Sequence, residues 1–372
     1  MPFYTKYGLT DPRPKKPRRA GTVLFIVAAL LGGLGWLAYE NGYFSWLKRS
    51  RAAEPSTNAP AARVPLINTQ IIVRAASANI TTTNASASSK SAAVLDAQIA
   101  LDRIGISCGS IDGVLGLQTR SALRAFQLRE GLAQTGELDA NTRARLSLAP
   151  PTLTSYGVDA SDLSRLLPLA STWLGKSEQP RLDYESLLEC VAERCHAHPN
   201  LIRRLNAGID WNNVAPGIAL TVPATERVRP AAKAAFIQIR LSDRTLEAFD
   251  AANHLLAHFP CSIAQRMDKR PVGELRVAVI APNPNYTFDP EVFPESAEAK
   301  EIRHKLVLPP GPNNPVGAVW IGLDRAGYGI HGTPKPEDVG RTESHGCFRL
   351  ANWNAEYLLQ LVTIGTPVKV EP

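Results

Sequence analysis

Tyr328-Gly-Ile-His331-Gly-Thr-Pro334, followed by Ser344-His-Gly-Cys347-Phe-Arg349-Leu350, sets one histidine and one cysteine 347 − 331 = 16 residues apart, each in a glycine-containing turn. A thiol is a strong nucleophile only as its thiolate, and a nearby imidazole is the usual way to make one. Glycine beside the cysteine lets the backbone approach a substrate carbonyl closely, so that its N–H groups can stabilise an oxyanion. Taken singly, a cysteine is more often a small buried apolar group and a histidine a satisfied structural one. Both together, in glycine turns with an arginine two residues on, point to acyl transfer.

Working outward, the surrounding chain alternates with period two. Phe236-Ile-Gln-Ile-Arg-Leu241 and Arg244-Thr-Leu-Glu-Ala-Phe249 predict strands joined by a turn at Ser242-Asp243. Further strand-like runs are His254–Pro260, Leu275–Ala281, Ala318–Leu323 and Pro367–Glu371. One helix is expected from Trp353 to Val362, with Asn352 available as its cap. Prolines 282, 284, 290, 294, 309, 310, 312 and 315 punctuate a middle segment expected to form a lid or substrate cleft rather than core strands. His254, His258 and His304 lack a catalytic context and read as surface or structural groups.

Residues 235–371 resemble the catalytic domain of the L,D-transpeptidases (the YkuD type). The resemblance rests on Arg270-Pro-Val-Gly273-Glu, Pro309-Pro-Gly-Pro312-Asn-Asn-Pro315-Val-Gly317, Gly329-Ile-His331-Gly-Thr333, Gly340, Ser344-His-Gly-Cys347-x-Arg349-Leu350 and Gly365-Thr-Pro-Val368. Phe348 departs from the small aliphatic common in that family. The resemblance implies a peptidoglycan stem tetrapeptide as donor. Cys347 would attack the bond between its diamino acid and terminal D-alanine, forming a thioester. The acyl group would then pass to an amine, giving a 3→3 cross-link, or to a D-amino acid, a lipoprotein lysine or water. His331 is the expected general base, with His345 as second candidate. Gly346 and Cys347 N–H groups are the candidate oxyanion hole. Arg349 is expected to hold a stem-peptide carboxylate through its planar fork. Ser344 shapes the loop, and Gly332 or Thr333 orients His331 by carbonyl or hydroxyl. A same-family thiol hydrolase (an L,D-carboxypeptidase) and a non-catalytic wall tether are the alternatives.

Upstream, the composition fits a multi-domain chain: 372 residues, 44% hydrophobic. Val94, Leu95, Ile99, Leu101 and Ile104 predict a helix stopping at Gly105, and Thr119 reads as cap of a second helix with Leu123 and Phe126 inward. A last short helix is expected over Ala140–Leu146. Gly105…Ile111-Asp112-Gly113-x-x-Gly116-x-x-Thr119-x-x-Ala122-Leu123-x-x-Phe126-Gln127…Gly131…Thr135-Gly136…Asp139-x-x-Thr142 resembles a small three-helix peptidoglycan-binding domain, placed at 92–148. Residues 149–182 read as a connector with a helical patch from Leu163 to Trp173. Residues 183–224 resemble, more weakly, a LysM glycan-binding module: two short helices, a Pro-Gly turn and a terminal strand, without the usual opening strand. The fold class is therefore a β-rich catalytic domain with one main helix, behind a three-helix domain and a small α+β module.

At the N-terminus, residues 1–19 carry Arg13, Lys15, Lys16, Arg18 and Arg19, and residues 20–39 contain no charge. About 20 apolar residues suffice to cross a bilayer. Basic residues before them favour an inside N-terminus, so a signal anchor is expected, with a cleaved signal peptide as alternative. The catalytic part would then lie in the periplasm or wall space. Residues 40–91, rich in Ala, Ser, Thr and Asn, read as a flexible linker. The net charge of +7 lacks a basic stripe interleaved with aromatics, so nucleic acid is not expected as a partner. Peptidoglycan peptides and glycan, and the membrane through residues 20–39, are. No cofactor is expected, and the Cys190, Cys195, His196, His198 spacing matches no standard zinc pattern. Five cysteines suit one free thiol; the pairing of Cys108, Cys190, Cys195 and Cys261 stays open.

Overall fold

The computed structural model describes residues 82–146, 151–292, 297–342 and 346–372, with side chains from residue 90. The expected membrane span at 20–39, most of the linker, and Ser344 and His345 lie outside these residues. Among the described residues no helix is long and apolar enough to cross a membrane.

Helix α1 (Thr82–Arg103) starts inside the stretch read as linker. It packs on α2 (Leu117–Arg129), with Ile99, Leu101, Ala122, Leu123 and Phe126 buried between them. Thr119 does not cap α2. Gly116 holds the N-cap without a side-chain bond, and the Thr119 hydroxyl accepts from buried Gln98 (2.9 Å) while donating to the Val114 carbonyl (3.0 Å). Gln98 also accepts from Gly113 N at 2.7 Å, so one amide fixes the Asp112-Gly113 loop against both helices. Helix α3 (Ala140–Arg145) is capped by Asp139, which accepts from Thr142 N at 2.8 Å.

The segment read as connector has structure of its own. Strand β1 (Leu153–Gly157) is followed by α4 (Ala160–Ser164), opened by a reciprocal capping box between Asp159 and Asp162. The expected helix from Leu163 to Trp173 is absent. Pro168 lies in its middle, where it would remove a helical N–H and clash with the preceding turn; the next helix, α5, runs Trp173–Glu178. Helices α6 (Leu187–Arg194) and α7 (Pro199–Leu205) then lead to β2 (Ala219–Pro223), which pairs antiparallel with β1. The strand that pairs with β2 thus comes from upstream of residues 183–224. These elements and the α1–α3 helices share one hydrophobic core, in which Ile111, Phe126, Val158, Val191, Ile202 and Leu220 are all buried.

The C-terminal part is built on an eight-stranded sheet. Its strands are β3 (Phe236–Arg240), β4 (Thr245–Phe249), β5 (Leu255–Pro260), β6 (Gly273–Pro282), β9 (Val319–Leu323), β10 (Gly329–His331), β11 (Phe348–Arg349) and β12 (Pro367–Glu371). The spatial order is β11-β10-β9-β6-β12-β3-β4-β5. Only β12–β3 and β10–β11 are parallel. The sheet curls until its ends meet: Ser262, just past β5, exchanges backbone hydrogen bonds with Arg349 of β11 at 2.9 and 3.0 Å. Helix α9 (Asn352–Leu361) buries Ala355, Leu358 and Leu361 against Phe259, Ile321, Ile330 and Phe348 inside this curl. The free edge of β5 is covered by the first domain, where His258 N donates to Gly105 O (3.0 Å) and Ser107 N to His258 O (2.8 Å).

The proline-rich segment is more ordered than a plain lid. It contains a hairpin, β7 (Tyr286–Phe288) against β8 (Leu306–Leu308), with the short helix α8 (Ala297–Glu301) in the connection. Phe288 is fully buried and stacks on Trp173 of α5 with ring centroids 4.4 Å apart. The hairpin therefore has a small core of its own, half supplied by the supposed connector.

Candidate active site

Register decides which side chains meet. In the parallel β10–β11 pair, Ile330 lies opposite Phe348 and His331 opposite Arg349. Side chains alternate across a strand and paired residues share a face. Ile330 and Phe348 turn into the core and are fully buried. His331 and Arg349 take the other face, and Cys347 immediately precedes β11. Trp320 of β9 stands opposite His331, and its indole stacks on the imidazole at 5.7 Å between centroids.

His331 is buried, and its Nδ1 lies 2.6 Å from the Gly332 carbonyl. A carbonyl only accepts, so Nδ1 carries the proton and the Nε2 lone pair remains for a base. The orienting group is thus Gly332. The Thr333 hydroxyl accepts instead from Lys335 N at 3.4 Å. Burial, with the charge of Arg349 adding to it, lowers the imidazole to about 4, against the Gly332 bond that raises it.

Cys347 is half-buried, and its thiol donates to the Gly327 carbonyl at 3.5 Å. Burial pushes the thiol up, partly opposed by a backbone hydrogen bond from Gly329. Both shifts favour the neutral forms, thiol and imidazole, over thiolate and imidazolium. The other four cysteines are free and buried; burial raises Cys190, Cys195 and Cys261 to about 12, and pushes Cys108 well above the ordinary thiol value. Cys347 is the one cysteine of the five that is not fully buried.

The Arg349 guanidinium is half-buried and donates to the Thr342 hydroxyl at 3.2 Å. Asp338 also bears on it electrostatically. Gly346 is described beside Cys347; Ser344 and His345 are outside the described residues. His258, read as structural, is buried and bonded to Glu247 at 3.0 Å, while His254 is exposed beside Asp250.

Two groups at the site were not singled out from sequence. Tyr286, on the hairpin, has its phenol raised to about 12 by burial first and then by its proximity to Cys347, which brings the hairpin to the thiol. Asn352, expected as a helix cap, makes no capping bond; Ala351 holds that place. Its amide is fully buried, and Oδ1 accepts from Ala318 N (3.0 Å) and Thr333 N (3.1 Å). A Cβ at Gly317 or Gly332 would collide with that oxygen, which is why both turns carry glycine.

Residues 234–370 match a family model described as "L,D-transpeptidase catalytic domain". The C-terminal part of this chain thus matches the L,D-transpeptidase catalytic-domain family. Residues 90–146 match a second model, "Putative peptidoglycan binding domain". The chain is 25% identical over 185 residues to "Putative L,D-transpeptidase YkuD" of Bacillus licheniformis, covering 50% of this chain and 93% of that one. It is 38% identical over 108 residues to "Putative L,D-transpeptidase YqjB" of Bacillus subtilis, covering 28% and 52%. It is 28% identical over 165 residues to "Probable L,D-transpeptidase YbiS" of Escherichia coli, covering 44% and 53%. The chain thus spans nearly all of the first relative and about half the length of the other two. Against the solved L,D-transpeptidase of Xylanimonas cellulosilytica, the TM-score is 0.32 at 15% identity, covering 75% of this chain and 93% of that one. That likeness is too low to add to the domain match.

Proposed function

We propose that this protein is a cell-wall L,D-transpeptidase with Cys347 as nucleophile and His331 as general base. The observation carrying the proposal is the sheet face shared by His331 and Arg349, with Cys347 at the start of β11 and His331 held in the tautomer that leaves Nε2 basic. In the acylation step the Cys347 sulfur attacks the carbonyl joining the stem diamino acid to D-alanine, and Nε2 takes the thiol proton. The oxyanion is received by the Gly346 and Cys347 N–H groups. Collapse breaks the C–N bond, the imidazolium protonates the leaving D-alanine amine, and a thioester remains. An acceptor amine then attacks the thioester, passes a proton to Nε2, and the thiol is restored. Arg349 holds a carboxylate of the stem peptide. The acceptor is a second stem's diamino acid, with a lipoprotein lysine or water as competitors.

In the same proposal, residues 20–39 anchor the chain in the cytoplasmic membrane, and the catalytic part works outside it. Residues 90–146 contribute affinity for the wall. The test is mass spectrometry of the purified chain incubated with disaccharide tetrapeptide, beside Cys347→Ala. A cross-linked dimer plus free D-alanine, both absent in the variant, is expected. D-Alanine without dimer would replace transfer by hydrolysis, and no reaction would overturn the donor.

A further inference from the structure

The module between β1 and β2 reaches the catalytic turn through a continuous line of hydrogen bonds. At one end Glu193, on α6, accepts from Asn352 Nδ2 at 3.0 Å. The second Asn352 Nδ2 hydrogen goes to the Pro312 carbonyl at 3.1 Å. With both Oδ1 lone pairs taken by Ala318 N and Thr333 N, all four capacities of this buried amide are used. Thr333 N belongs to the peptide unit of Gly332, whose carbonyl fixes His331 Nδ1. From Glu193 to the imidazole there is therefore no gap.

The same module clamps the loop that precedes Gly317. Leu182 N donates to Pro310 O (3.0 Å) and Asn313 N to Leu182 O (3.0 Å). The Asn313 amide donates to Asp183 O (2.9 Å) and to Glu189 Oε1 (2.6 Å). Burial raises the Glu193 carboxyl to about 8, a group kept in its acid form beside the amide at neutral pH. A module serving only to hold glycan would have no need of five hydrogen bonds to the loops that build a catalytic centre.

From this geometry we infer that Glu193, acting through Asn352, is a positioning residue for His331, and that residues 182–193 form a structural wall of the active site. The inference rests on His331 being the base. Loss of an outer-shell partner of this kind, or a misplacement of about 1 Å, costs on the order of ten- to a hundredfold in rate.

The experiment uses the full chain in four forms, Glu193→Ala, Glu193→Gln, His331→Ala and the Glu193→Ala/His331→Ala double variant, with D-alanine release as the rate. Glu193→Ala should lower kcat on the order of ten- to a hundredfold with KM little changed. Glu193→Gln, whose carbonyl still accepts from Asn352, should recover most of that loss. In the His331→Ala background the second substitution should add nothing, because both act through one group. Equal losses in both backgrounds, or a Gln variant as poor as the Ala variant, would overturn the positioning role. A second readout needs no substrate: the His331 ring nitrogens followed by NMR. Glu193→Ala should bring Nε2–H tautomer into the spectrum and raise the titration midpoint, and an unchanged ring would overturn the inference. If His331→Ala leaves the rate intact, the base assignment fails, and the NMR result still decides the coupling.

Discussion

At the scale of single residues, burial works against charge on both candidate reacting groups. His331 is held neutral by burial, with its midpoint at about 4, and burial also keeps the Cys347 thiol protonated. On the proposed mechanism the neutral pair is the productive form. The acid limb of kcat/KM should fall near pH 4 to 5, well below the ordinary histidine value of about 6.5. A limb centred between pH 6 and 7 in a rate profile would contradict this. The stability sign follows from linkage: an imidazole depressed in the fold contributes stability that is fully present above its unfolded value, and that is lost as pH falls toward about 4. Arg349 is constrained differently. Its backbone is locked by Ser262 on one side and His331's strand on the other, so Arg349→Ala should leave the sheet intact. That substitution should raise KM for the tetrapeptide on the order of ten- to a hundredfold, the loss of a charge-assisted contact worth about 1.5–3 kcal/mol. A KM equal to that of the unchanged chain would remove its carboxylate role.

At the scale of elements, what was legible in the sequence followed periodicity and what escaped it followed tertiary contact. Six strands and the α9 helix stand where alternation and the apolar stripe put them, because each has enough residues for a period to appear. β10 and β11 are three and two residues long and have no period to read, yet they carry the histidine and the cysteine's neighbours. Asn352 looks from sequence like a cap, since the same residue type serves both roles; only the approach of Gly317 and Gly332 assigns it to the turn that follows His331. The β7–β8 hairpin was hidden by its prolines, and its partner Trp173 lies more than a hundred residues upstream. Trp173→Ala should loosen that hairpin selectively, removing roughly 1 kcal/mol of ring stacking in addition to the lost burial. Hydrogen exchange should quicken in Tyr286–Leu308 while β3, β4 and β12 stay protected. Uniform acceleration across the large sheet would show that the hairpin is not a separate cooperative unit.

At the scale of the whole molecule, the segments described here are keyed together by one buried charge. Asp102 of α1 is fully buried and bonded to His196 (2.7 Å) from the middle module and to Arg227 (2.5 Å) from the link into the large sheet. Arg227 in turn donates to Asn354 Oδ1 (2.7 Å) and Trp353 O (3.1 Å) on α9. Burial alone would raise the Asp102 carboxyl, but Arg227 and His196 outweigh it and hold it at about 2. Its contribution is present above the ordinary carboxylate value near 3.8 and is lost as pH falls through about 2. Separable modules on flexible joints would melt in several steps. A shared core under α1–α3 and the β1–β2 pair, together with this four-part network, requires residues 90–372 to melt as a single unit. Asp102→Asn leaves Arg227 buried without its anion, a change that costs about 3–5 kcal/mol. Calorimetry should show one transition in both proteins, moved down in the variant and not divided. Two resolved transitions in the unsubstituted chain would mean that the network orients the segments without coupling their stability. Residues 90–146 would then be free to grip the wall independently of the catalytic sheet.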